Sequence, residues 1–226
     1  MGHTSRSPNC STRSCFDGAF EAARTLRYVS GPLQLEFVMS AAEHTQMPES
    51  LVEIAVAGRS NVGKSSLLNA LANRNGLAKT SKTPGATRLL NVFELQPEGS
   101  GKWIVDLPGY GYAKAPKHEQ KRWARMIENY LIERENLELV LVLVDGEVGP
   151  TALDKQSIAW FRHIGVPIKI VATKHDKVKS SKLGSRKKAV HEGCGVEKSE
   201  VRWVSAAKGT GIPELRAELH KFLEYE

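Results

Sequence analysis

The sequence predicts a three-layer α/β fold with a mostly parallel central sheet and one antiparallel edge hairpin. Three observations carry that expectation. From Leu51 onward, strand-like and helix-like patterns alternate. Two apolar runs, residues 137–145 and 167–172, are continuous rather than alternating, the mark of strands covered on both faces. One pair of strands, residues 89–95 and 102–106, is joined by the turn-rich segment 96–101 and not by a helix, which makes it an antiparallel hairpin.

The remaining elements follow in order. Residues 51–57 form a short apolar strand, and residues 64–73 a helix with Leu67, Leu68 and Leu71 on one side. Residues 117–135 place Trp123, Ile127, Tyr130 and Leu131 at helical spacing, so Trp123 is read as a core residue. A helix over residues 153–163 supplies the crossover between the two buried runs. Residues 200–204 read as the last strand and residues 212–225 as the last helix, with Pro213 in its first turn. No internal repeat is visible.

Composition narrows the class. The chain has 226 residues, 41% hydrophobic and 25% charged, which fits one globular domain and excludes a disordered or fibrous protein. No apolar run approaches the roughly 20 residues of a membrane span. Cys10, Cys15 and Cys194 are few and odd in number, which suits a reducing compartment and a cytoplasmic location. Residues 1–16 are rich in Ser and Thr, lack an acidic residue and lack the apolar core of a secretory signal. A mitochondrial leader stays open on composition, while Arg6 stands where N-myristoylation needs Ser or Thr. The expected organisation is a flexible extension over residues 1–29 and one domain over residues 30–226.

The net charge of +7 points to a polyanionic partner, and its distribution is informative. Residues 174–190 hold seven Lys and Arg against Asp176 alone, a net +6. This stretch is either a solvated loop and helix face or a contact for a phosphate backbone such as ribosomal RNA. Lys114, Lys117, Lys121, Arg122 and Arg125 form a second basic group.

The motifs carry the chemistry. Gly58, Arg59, Ser60, Asn61, Val62, Gly63, Lys64 and Ser65 fit G-x-x-x-x-G-K-[ST] between a strand and a helix. Such a loop turns backbone N–H groups toward a phosphate, and the helix N-terminus adds partial positive charge. Lys64 would reach the β- and γ-phosphates and Ser65 would ligate Mg²⁺. Asp106, Leu107, Pro108 and Gly109 form D-x-x-G at a strand end, 48 residues after Gly58. This supplies a carboxylate near the metal and an N–H for the γ-phosphate. Between the two motifs lies a Ser/Thr-rich loop, residues 78–88. Gly85, Ala86, Thr87, Arg88 and Leu89 are its candidate nucleotide contacts, with Thr87 the second Mg²⁺ ligand and Thr83 the alternative.

Thr173, Lys174, His175 and Asp176 close the strand of residues 167–172. Asp176 can accept from guanine N1–H and the 2-amino group, a pair of donors that adenine lacks. The stem of Lys174 can cover base and ribose. Val204, Ser205 and Ala206, after the next strand, can present backbone N–H to guanine O6. No residue is assigned as catalytic; Lys64 and Thr87 are supporting groups. Tyr110 stands where many GTPases place a water-orienting Gln, so slow intrinsic hydrolysis is expected, with a partner or K⁺ completing the rate. Only a resemblance to related GTPases makes Asn61 the candidate K⁺ ligand; the other reading is a plain turn residue. Two other classes stay open: a P-loop ATPase or nucleotide kinase, and a nucleotide-independent RNA-binding module.

Together these segments resemble the translation-factor-like GTPases. Phe37-Val-Met-Ser-Ala41, Ala57-Gly-Arg-Ser-Asn-Val-Gly-Lys-Ser-Ser66, Lys79-Thr-Ser-Lys-Thr-Pro-Gly85, Asp106-Leu-Pro-Gly-Tyr-Gly-Tyr-Ala113 and Thr173-Lys174 with Asp176 narrow the resemblance. They point to the EngB (YihA/YsxC) family of bacterial GTP-binding proteins, within the TrmE-Era-EngA-EngB-septin-like superfamily. The resemblance implies a P-loop GTPase fold, GTP/GDP and Mg²⁺ binding, and a switch role for Thr87. It also implies assembly of the large ribosomal subunit and a requirement in cell division and septation; a monomer without a membrane partner is expected. Two positions depart from the family pattern: His175, where Ala is usual, and Val204-Ser-Ala-Ala207, where a Ser-Ser pair is usual.

Overall fold

The structure, a computed structural model, describes residues 31–79, 89–97, 99–110 and 117–223. The expected N-terminal extension therefore lies outside the described residues. The elements in chain order are β1 (Leu35–Ala41), β2 (Val52–Gly58), α1 (Lys64–Ala72), β3 (Leu90–Leu95), β4 (Lys102–Asp106) and α2 (Lys117–Glu133). There follow β5 (Leu137–Asp145), α3 (Ala152–His163), β6 (Ile168–Thr173), α4 (Leu183–Cys194), β7 (Val201–Trp203) and α5 (Ile212–Leu223).

These strands form a seven-stranded sheet in the order β1-β3-β4-β2-β5-β6-β7. β2 is buried along its whole length and β5 over its last seven residues, as both-face coverage requires. Leu67, Leu68 and Leu71 of α1 and Leu215, Leu219 and Leu223 of α5 pack on one face. Tyr130 of α2, Phe161 of α3 and Val190 of α4 pack on the other. Each such side chain, fully buried, contributes roughly 1.5–3 kcal/mol of transfer free energy. Trp123 packs against the second cluster, as its helical spacing indicates.

The fold class is as read from sequence, with a different edge. The β3–β4 hairpin exists, but β1 pairs antiparallel with β3 and covers it. β3 alone therefore runs opposite to the other six strands. The strand β1 escapes the period-2 pattern because its register shifts between Phe37 and Met39, leaving Phe37 and Val38 both exposed. A second difference is α2, which ends at Glu133, two residues before the expected boundary, where Leu137 N–H closes a turn onto Arg134 O (3.2 Å). The third is α4, which runs past the basic stretch of residues 174–190, with Val190 buried inside that stretch and Cys194 buried beyond it.

The parallel strands β2, β4, β5 and β6 deliver Gly58, Asp106, Asp145 and Thr173 to the same end of the sheet. Loops at the carboxyl ends of parallel strands are where α/β folds gather ligands.

Candidate functional site

The loop from Gly58 to Lys64 folds as its glycines and Asn61 dictate. Asn61 (φ 64°) and Gly63 (φ 109°) lie in the left-handed region, where Gly and Asn carry the smallest steric penalty. Gly63 is the N-cap of α1, and among the described residues no side chain caps the helix. The first N–H groups of α1 therefore remain open to an anion, with the helix dipole behind them. Lys64 is buried, and its ammonium lies 3.8 Å from Asp106 Oδ1.

Asp106 ends β4 beside this loop and is 2% exposed. Among the described residues its Oδ1 has no hydrogen-bond partner. Burial raises its pKa to about 6, against the opposing pull of Lys64. A buried carboxylate oxygen without a donor is costly unless something else completes it. Gly109 then passes so close to the loop that a Cβ there would sit 3.0 Å from Ser60 N. Its neighbour Tyr110 bridges the loop: Tyr110 N–H donates to Gly58 O and Ser60 N–H donates to Tyr110 O, both at 3.2 Å.

The second half of the site is built by β6 and β7. Thr173 is buried and its hydroxyl donates to Val62 O at 2.7 Å, locking this loop to the phosphate loop. Lys174 adopts a left-handed conformation (φ 55°), and its ammonium donates to Asp145 Oδ2 at 2.7 Å. Asp145 Oδ1 also accepts the N–H groups of Glu147 (2.9 Å) and Val148 (3.1 Å). Partial burial pulls the Asp145 carboxyl upward, but the Lys174 hydrogen bond and these amides outweigh it and hold its pKa below the usual value.

Asp176 is exposed, and Ser205 Oγ donates to its Oδ1 at 2.6 Å. The expected row of backbone donors is narrower than the sequence reading. Val204 N–H donates to Ala172 O (2.8 Å) and Ser205 N–H to Thr210 O (2.9 Å). Ala206 N–H alone of the three carries no partner among the described residues. His175 N–H donates to Val204 O at 3.1 Å, and its ring meets the Trp203 ring edge-on at 5.6 Å.

The structure thus brings Gly58 through Ser65, Asp106 through Gly109, Thr173 through Asp176 and Val204 through Ala206 to one end of the sheet. Leu89, just before β3, is exposed. Thr83, Gly85, Ala86, Thr87 and Arg88 lie outside the described residues. Two residues on this rim are absent from the sequence reading. Asp145 ends a buried strand immediately before Gly146, a signal shared with many turns. Asp154 belongs to a Thr-x-x-Asp capping box at residues 151–154, legible as a helix start but not as a partner of distant residues.

An open helix N-terminus and buried lysine at one end, with an aspartate set for paired donors at the other, define the class: a nucleotide-binding domain of P-loop GTPase type. Comparisons agree. The family of 50S ribosome-binding GTPases matches residues 53–174. The Probable GTP-binding protein EngB of Clostridium perfringens (strain SM101) is 45% identical over 182 residues, 80% of this chain and 91% of that protein. The protein of the same name in Pelotomaculum thermopropionicum is 49% identical over 159 residues, 70% of this chain and 78% of that protein. A crystal structure of a probable GTP-binding protein engB superposes with a TM-score of 0.62 at 26% identity, covering 76% of this chain and 98% of that one. The chain belongs to the EngB family of GTP-binding proteins.

GTPases of this kind use Mg²⁺, and the donors present fit it. Mg²⁺ takes hard oxygens, one or two from protein and the rest from phosphate and water. Ser65 in the first turn of α1 and the partnerless Oδ1 of Asp106 are oxygens of that kind.

Proposed function

We propose that this chain is a Mg²⁺-dependent guanine-nucleotide switch with slow GTP hydrolysis, acting as a cytoplasmic monomer in assembly of the large ribosomal subunit. By the same reading it is required for normal division and septation. The observation that carries the reading is the pairing of an unfinished phosphate end with a finished base end. Asp106 Oδ1 lacks a partner, whereas Asp176 is already oriented by Ser205.

In this reading the amides from Asn61 to Ser65 and the Lys64 ammonium hold the phosphates. Ser65 and Thr87 would hold the metal, which when bound would neutralise phosphate charge, and Asp106 would support it from beside the phosphate loop. Gly109 N–H reports the third phosphate. Asp176 and Ala206 N–H read the guanine, and the stem of Lys174, tethered through Asp145, flanks it. Asp176 favours this over a P-loop ATPase or nucleotide kinase, because a carboxylate there repels adenine N1. Competition between GTP and ATP on the purified protein decides the matter: GDP and GTP are expected to bind, and ATP to fail.

Support for a ribosomal partner comes from the family and from the basic stretch. Lys177, Lys179, Lys182 and Lys188 are exposed along the turns before α4 and on its outer side. Arg186 is different, since its guanidinium donates to Val148 O at 2.7 Å. Lys114 and the side chain of Lys117, in the other basic group, lie outside the described residues. Charge reversal of Lys179, Lys182 and Lys188 is expected to weaken co-sedimentation with large ribosomal subunits and to flatten its salt dependence. Unchanged binding in a GTP analogue would remove this surface from the reading. Asn61, exposed at the loop's outer turn, is the proposed K⁺ contact. Faster turnover in K⁺ than in Na⁺ is expected, and equal rates would count against it.

A further inference from the structure

Asp154 is the buried charge that the nucleotide motifs do not explain. It is 0% exposed on the first turn of α3. A carboxylate so buried needs donors, and they come from three parts of the chain. Thr151 gives its backbone N–H and its hydroxyl, both 2.8 Å from Oδ2. Arg59, in the phosphate loop, gives Nε–H to Oδ1 at 3.2 Å, and the same nitrogen lies 3.0 Å from Oδ2 as an ion pair. Tyr110, the residue after Gly109, gives its phenolic O–H at 3.2 Å from Oδ1.

Thr151 alone completes the helix cap, so Arg59 and Tyr110 are additions that helix formation does not require. Both belong to the phosphate site. Tyr110 is held to the loop a second time, through its backbone bonds to Gly58 O and Ser60 N–H. Backbone and side chains therefore close a ring: phosphate loop, Tyr110, Asp154, Arg59 and back to the loop. Burial first, and then the Asp154 charge, push the Tyr110 hydroxyl above its ordinary pKa, so it stays a donor at any working pH.

This ring has a consequence at the third-phosphate position. The Ser60 N–H given to Tyr110 O is withdrawn from any phosphate oxygen, and Gly109 is pressed so close to Ser60 that an added Cβ would sit only 3.0 Å from Ser60 N. We propose that Asp154 is a positioning residue of the nucleotide site: through Arg59 and Tyr110 it clamps the Asp106–Tyr110 segment onto the phosphate loop, weighting the site toward nucleotides that lack a third phosphate. The inference rests on the guanine-nucleotide reading of the site. A ligand shifts a two-state element only by its differential affinity for the two states. A nucleoside triphosphate must open the clamp to bring the Gly109 amide onto its third phosphate, and a diphosphate need not.

Two substitutions in the full chain test it. Tyr110→Phe deletes one hydroxyl and leaves the helix cap and the backbone bridge in place. Asp154→Asn keeps the shape and removes the charge that holds Arg59. Affinities for GDP and for a non-hydrolysable GTP analogue are measured for each variant, with thermal melting alongside. The ratio of analogue to GDP affinity is expected to rise about three- to tenfold in both, the net worth of one hydrogen bond. GDP affinity should stay within about twofold of wild type. A ratio that is unchanged, or that moves toward GDP, overturns the clamp. Should Asp154→Asn fail to fold, the Tyr110→Phe ratio decides alone. Wild-type protein that binds neither nucleotide overturns the functional reading itself. Wild-type protein that binds both while Tyr110→Phe leaves the ratio unmoved overturns only the clamp.

Discussion

Glu53 and Asp106 are carboxylates on neighbouring parallel strands, 0% and 2% exposed, at opposite ends of one sheet. Glu53 is closed off. Its Oε1 accepts from Ser50 Oγ (2.7 Å) and Arg134 Nε–H (2.9 Å), and its Oε2 from Tyr130 O–H (2.8 Å). Asp106 is left open, with Oδ1 unpartnered and Lys64 beyond hydrogen-bond reach at 3.8 Å. Equal burial therefore serves two purposes. At the amino end of the strands the chain answers its own charge and gains rigidity. At the carboxyl end it leaves the charge for something else to answer, which marks where a ligand belongs.

The largest effect that separates the two ends is on stability. Glu53→Ala strands the Arg134 guanidinium and the Tyr130 hydroxyl, both wholly or largely buried. Removing one partner of a buried ion pair costs about 3–5 kcal/mol. Urea denaturation is expected to show that loss, while nucleotide affinity of the folded fraction stays at the wild-type level. An affinity loss of comparable size would mean that the two ends are not separate.

Asp106→Asn is expected to move stability the other way. Well below the unfolded value of 3.8 the Asp106 carboxyl is protonated in folded and unfolded protein alike, and its burial makes no pH-dependent contribution. Between the unfolded value of 3.8 and the folded value of about 6, the unfolded chain ionises first, so wild-type stability falls as pH rises. Above pH 6 the full cost is present, about 2–3 kcal/mol at 1.36 kcal/mol per pKa unit. Nucleotide-free Asp106→Asn should therefore be more stable than wild type at pH 7 by about that amount, with the gap closing as pH falls below 3.8. It should also lose the Mg²⁺ dependence of GTP affinity. A variant less stable than wild type at pH 7 would show that Asp106 is structural like Glu53.

This contrast sets how much the sequence could disclose. The phosphate loop was legible because its parts are consecutive: Gly58, Gly63, Lys64 and Ser65 fix the turn, the helix start and the charge within eight residues. β5 and β6 were legible because burial on both faces leaves an uninterrupted apolar run. β1 was hidden by the register shift after Phe37, which breaks the alternation. The partners of Asp154 were hidden differently. Arg59 and Tyr110 lie 95 and 44 residues away, and no local pattern records a contact made by tertiary folding. Glu53 is the same case, since Arg134 lies 81 residues on. Local chemistry is written in the sequence, whereas the answering of charge across the sheet appears only once it closes.

The smallest expected effect probes the base end, where the open and closed designs meet. Asp176 is exposed, so its carboxylate does not need Ser205 for solvation; the 2.6 Å bond from Ser205 Oγ fixes its direction instead. Ser205 is itself 0% exposed and is held by accepting Lys208 N–H at 3.1 Å. Removing the hydroxyl leaves Asp176 charged but free to rotate, and guanine must then order it on binding. Ser205→Ala is expected to weaken GDP and GTP alike by about fivefold, near 1 kcal/mol, without admitting ATP. Titration of the three nucleotides against the variant checks this. Equal affinity to wild type would mean that Asp176 is aimed by its backbone alone. A loss confined to GTP would place Ser205 with the phosphate end rather than the base.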